Sequence, residues 1–110
     1  MNPQFVIATY QVLEQNQTEF IVLLKETETL MRKEKLITSK PVFRMRSVIN
    51  PKIIVEIFEW TDSKSFEKAQ NSPTILSMWS KFESIWVKGG FGIKEVPEAS
   101  QPWAQFPSIQ

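Results

Sequence analysis

One carboxylate in this sequence stands where a carboxylate is costly. Glu56 lies within IIVEIFEW, residues 53–60, and shares one strand face with Ile54, Phe58 and Trp60. If that face meets helices, Glu56 is buried and needs a partner. Arg44 and Arg46, in the preceding run VFRMRSV, can supply one. Two readings stay open. Glu56 is half of a Glu–Arg pair inside the core, or it is a pocket carboxyl with a raised pKa that can act as a base. Gln70 is the second candidate for chemistry. Its amide can hydrogen-bond a ligand or hold a water but cannot shuttle protons near neutral pH. Trp60, Trp79 and Trp86 could line an aromatic cavity for a flat apolar ligand, or could simply be core. Tyr10, the only tyrosine, can donate a hydrogen bond from the first strand or sit at an interface.

The remaining inventory excludes more than it offers. There is no cysteine and no histidine. That removes thiolate metal sites, the haem-ligating imidazole and the commonest general base. No cofactor is expected, and haem binding is not expected. There is no Gly-rich phosphate loop, no serine-nucleophile motif and no clustered set of carboxylates at metal spacing. A formal net charge of +1 gives no basic footprint for nucleic acid. Arg32, Lys33 and Lys35 read as a solvated helix C-terminus. No apolar run approaches the ~20 residues that span a bilayer, and no basic-then-apolar segment opens the chain. No membrane partner is expected, and the cytoplasm is the expected location.

These side chains need a scaffold. The 110 residues suffice for one domain. Phe5 to Val12 reads as a first strand. Asn16 then reads as a helix cap, with Glu19 completing a capping box. Phe20, Leu23, Leu24, Thr27, Leu30 and Met31 follow at helical spacing. Residues 42–48 and 53–60 read as a hairpin across the Asn50-Pro51 turn. Asp62 reads as the cap of a short helix, restarted by Ser72-Pro73. The stripe Ile75, Met78, Trp79, Phe82, Ile85 and Trp86 predicts one helix running to Gly89-Gly90, and Phe91 to Val96 a last strand. The order β-α-β-β-α-β is the ferredoxin-like arrangement. It predicts an α+β fold with a four-stranded antiparallel sheet and helices on one face. The domain is expected over residues 1–97, with a Pro-containing tail over 98–110 whose Trp103 and Phe106 are expected to dock on the body of the dimer.

Residues 53–60 are apolar on both faces, Ile53, Val55 and Ile57 lying opposite Ile54, Phe58 and Trp60. Glu59 shares the parity of the first set and is expected to reach water at the strand end. Helices cover only one face, so the other predicts a second copy, sheet against sheet.

The segment VEIFEWTDSKSFEKAQNSPTILSMW, residues 55–79, resembles the antibiotic-biosynthesis-monooxygenase-like group of the dimeric α+β barrel superfamily. The matching residues are Glu56, Phe58, Glu59, Trp60, Asp62, Phe66, Ala69, Pro73 and Trp79. Where the group has His after Ala, this chain has Gln70, and a first-strand Asn of its haem-degrading branch falls near Thr9. The resemblance implies a homodimeric barrel and a monooxygenase-like protein, oxidising a small aromatic substrate without a cofactor. The expected ligand pocket is formed by Thr9, Arg46, Glu56, Phe58, Trp60, Gln70 and Trp79, with Glu56 and Gln70 as catalytic candidates. The missing His leaves room for two alternatives, a non-catalytic small-molecule-binding homodimer and a purely structural dimer.

Overall fold

The computed structural model describes residues 3–89 and 91–110, residues 86–89 through their backbone. Strand β1 is Gln4–Val12, helix α1 Gln17–Lys33, β2 Phe43–Arg46, β3 Ile53–Trp60, α2 Ser65–Gln70, α3 Pro73–Ser80 and β4 Trp86–Gly89. The four strands form one sheet in the order β2-β3-β1-β4, and every pairing is antiparallel. This is the α+β architecture expected from the element order. Among the described residues no helix is long and apolar enough to cross a membrane.

The helices bury their stripes on one sheet face. Phe20, Leu23 and Leu24 of α1 pack with Ile54 of β3, Met78 of α3, and Phe82 and Ile85 beyond it. Met31, Phe58, Ala69 and Ile75 fill the other half of that layer. Helix α1 ends in a Schellman motif. Lys35 adopts φ 59°, Leu36 N–H donates to the Met31 carbonyl and Lys35 N–H to that of Arg32. The chain then turns at once into the sheet, where Ile37 bridges Trp60 before β2 begins.

Of the three helix caps expected, Asp62 does not cap α2, which starts at Ser65; its carboxylate accepts from Lys64 N–H in the preceding turn. Ser72 Oγ accepts from Ile75 N–H at 3.3 Å with Pro73 in the first turn, as the sequence predicts. Asn16 does not cap α1 and no capping box forms. A 3₁₀ turn over Glu14–Asn16 precedes the helix, and the Asn16 amide donates to the Ile85 carbonyl instead.

The end of the domain departs from the expected pattern. Helix α3 stops at Ser80, because tight turns bonded i to i+3 carry residues 81–85. Those turns still bury Phe82 and Ile85, so the apolar spacing imitates a longer helix. The last strand is Trp86–Gly89 rather than 91–96, and it covers the free edge of β1 through a bulge at Gln11/Val12. Gly90, read as part of a helix stop, and the Trp86 side chain lie outside the described residues. Residues Ile93–Glu95 form a 3₁₀ turn, and Val96 is buried against Ile53 and Val55.

The tail is part of the fold. Glu98 is buried and accepts from Ser47 Oγ at 2.7 Å and from Val48 and Ile49 N–H at 2.7 and 3.2 Å. Ser108 bridges Met45 at the β2 edge, and Ile109 N–H donates to the Arg44 carbonyl. Phe106 packs on the outer face of the sheet. Trp103 does not dock on its own chain, where it is 92% exposed. Two of the three aliphatic residues expected in a seam between copies, Ile53 and Val55, are therefore covered by the chain itself. The rest of that face is open. Ile7, Ile57 and Phe43 stand in one row across β1, β3 and β2, with Phe5 beside them, and Phe5, Ile7 and Phe43 are each more than half exposed. Glu59, on the same side, is buried rather than wet, because Lys40 Nζ reaches it at 3.1 Å while lying over the Phe5 ring.

Candidate functional site

Strand register puts Glu56 directly opposite Arg44 on β2 and Ala8 on β1. The small Ala8 leaves room on one side. Tyr10, a diagonal neighbour on β1, reaches over it and donates from its hydroxyl to Glu56 Oε1 at 3.3 Å. Arg44 Nε donates to Glu56 Oε2 at 3.0 Å, and the same guanidinium bonds Glu28 on α1. Glu28 also holds Arg32, one turn further along the helix, and Arg32 donates to the Lys40 carbonyl at 2.7 Å. A continuous chain of polar groups thus runs from the core, Tyr10–Glu56–Arg44–Glu28–Arg32, to the surface of α1.

Burial raises the Glu56 carboxyl from 4.5 to about 7, against the pull of the Arg44 charge and the hydrogen bonds from Arg44 and Tyr10. Glu28, a second negative charge nearby, adds to the rise. Burial also pushes Tyr10 well above the usual phenol range, helped by the Glu56 carboxylate beside it. Glu56 is thus an ion-pair partner inside the core, with its carboxyl raised by burial.

The side chains expected to converge on one pocket do so only in part. Glu56, Phe58 and Trp60 share the helix-facing side, as their parity requires. Phe58 and Trp60 meet edge-on at 5.0 Å, and exposed Phe66 stands at 6.3 Å from both Trp60 and Trp79. These rings form a packed aromatic ladder. Thr9 lies opposite Val55, on the other face of the sheet, and its hydroxyl donates to the Phe91 carbonyl. Gln70 ends α2 on the surface, away from Glu56. Arg46 faces the start of α1, where it lines an open cleft of about 380 Å³ with Glu14, Gln17 and Thr18. Beside Glu56, the rings of Tyr10, Phe20 and Phe82 stack edge to face at 5.1 and 5.3 Å and fill the space between sheet and helices.

A cleft of about 550 Å³ opens where the polar chain surfaces. One wall is the α1 stripe Lys25, Glu28, Thr29 and Arg32; Ser39, Pro41 and Val42 form the other, and buried Arg44 the floor. Sequence reasoning missed Glu28 and this cleft. The available signal was the Glu28–Arg32 spacing of four, which marks a helical ion pair, but it does not say that a strand arginine joins it.

No family model matches this chain, and no curated protein matches its sequence. Solved structures do resemble it. A conserved protein from Methanosarcina mazei Go1 superposes with a TM-score of 0.65 at 23% identity, covering 80% of this chain and 85% of that one. SnoaB, a cofactor-independent oxygenase from Streptomyces nogalater, superposes with a TM-score of 0.67 at 17% identity, covering 89% of this chain and 100% of that one. The likeness shows a shared fold.

Proposed function

We propose that this chain is a homodimer of the α+β barrel class that binds a small molecule at the surface end of its buried polar chain. The observation that carries the binding reading is the cleft over Arg44. A fully buried cation, already paired with Glu56 and Glu28, lies at the floor of an open space large enough for a small ligand. The row Ile7–Ile57–Phe43 supports the dimer. It is a flat apolar strip on a sheet face that no helix covers, and a two-fold contact is self-complementary by construction. Light scattering tests the assembly, and a ligand-dependent rise in melting temperature tests the binding. A monomer would sink the first. Failure of every compound in a chemically broad library would sink the second and leave a structural protein.

A second reading has its own support. A carboxyl near neutrality, beside a tyrosine hydroxyl, on the fold of a cofactor-independent oxygenase suits proton removal from an electron-rich aromatic compound. The resulting anion would reduce dioxygen directly, with Glu56 as the base. The rings of Tyr10, Phe20 and Phe82 would have to part to admit such a substrate. Oxygen uptake with electron-rich phenols, lost in Glu56→Gln, would establish this reading; no uptake with any of them would remove it.

A further inference from the structure

The cleft on α1 has a charge as well as a shape. Lys25, Glu28, Thr29 and Arg32 follow the i, i+3, i+4, i+7 spacing of one helix face and line one wall. With Arg44 they bring three cations and a single side-chain carboxylate to one concave surface, which Gln110 also lines. That carboxylate is spent inside the wall, because Glu28 gives one oxygen to Arg44 and the other to Arg32. A ligand entering the cleft therefore meets the Lys25 ammonium, the Arg32 guanidinium and the hydroxyls of Thr29 and Ser39, all of which can donate to an acceptor. Val42 and Pro41 supply an apolar flank on the opposite wall.

We propose that the cleft takes a small organic oxyanion, its carboxylate or phosphate held by Lys25 and Arg32 and its apolar part laid against Pro41 and Val42. This rests on the small-molecule reading above and assigns the chemical class of the ligand. The geometry favours an anion over a neutral aromatic, because a neutral ring would cover the Lys25 ammonium without pairing it.

The test is calorimetric titration of the full chain with benzoate, phenyl phosphate and neutral benzyl alcohol, at low and at physiological salt. The expected result is binding of an anion that weakens as salt rises, with no binding of benzyl alcohol. Whether benzoate or phenyl phosphate binds better separates the two oxyanion sources. In Lys25→Gln, an exposed change whose fold is checked by circular dichroism, the anion should bind about tenfold more weakly. Benzyl alcohol binding as well as the anions, or anion binding unchanged in Lys25→Gln, would overturn the assignment while leaving a small-molecule site in place. No binding of any of the three also overturns it, and the broader library then decides the parent reading.

Discussion

Arg44 and Glu56 face each other across β2 and β3, and the Arg44 Nε–Glu56 Oε2 bond of 3.0 Å lies wholly inside the layer between sheet and helices. The pair stands in a row of otherwise apolar positions. Removing one partner is therefore a different experiment from removing both. Arg44→Met should cost about 3–5 kcal/mol, since it strands a buried carboxylate, whereas Arg44→Met with Glu56→Leu should cost much less. Urea denaturation of the three proteins reads the difference. A double variant as unstable as the single one would show that the pair does not govern this layer.

The pH dependence follows from the direction of the Glu56 shift. Its folded value, about 7, lies above the ordinary 4.5, so the folded chain binds this proton more tightly than the unfolded chain. The stability this group contributes is full below about 4.5 and falls as pH rises to about 7, by about 3 kcal/mol at most. Glu56→Gln should flatten that slope in a series of denaturation curves. An unchanged slope would place the titration elsewhere.

Glu98 acts in the opposite sense. Burial alone would raise its carboxyl, but the bonds from Ser47 Oγ and from Ile49 and Val48 N–H outweigh it and hold the value below the ordinary range. Its contribution is present above the ordinary glutamate value and lost as pH falls through the lowered one. Glu98→Gln should loosen the tail, exposing Val48 and Ile49 N–H to faster hydrogen exchange while β1 stays protected. Uniform exchange across the whole chain would mean the carboxylate is not a local anchor.

Trp103 and Phe106 should part company under mutation. Trp103 is exposed and holds φ at 104°, a conformation that side chains rarely adopt. Trp103→Gly should leave the melting temperature unchanged or raise it, by up to about 1 kcal/mol of stability. Phe106→Ala should lower it, because Phe106 packs over the Ile53 and Val55 cluster. Equal losses in both would contradict the exposure of Trp103.

The assembly has its own variant. Ile7→Asp places a charge in the middle of the exposed row Ile7–Ile57–Phe43 without touching the helix-facing core. It should convert a dimer to a folded monomer by light scattering. A dimer that persists would move the interface to another face.

Local pattern alone carried much of this. Period-two spacing placed Glu56 with Phe58 and Trp60 and set them against Ile53, Val55 and Ile57, because strand side chains alternate whatever surrounds them. The same logic made the α1 stripe core and named Ser72-Pro73 as a helix start. What the sequence could not carry was any contact between residues far apart along the chain. Whether Arg44 or Arg46 meets Glu56 depends on hairpin register, and a one-residue slip reverses every face. Thr9 was separated from the pocket by the pairing of β1 with β3, which sets it opposite Val55, and Gln70 by the direction in which a short helix ends. Phe82 and Ile85 are buried by turns as well as by a helix, so their spacing could not reveal where α3 stops. Glu28, Arg44 and Arg32 lie on elements that meet only when the helix docks on the sheet. The cleft they form exists only in the tertiary structure.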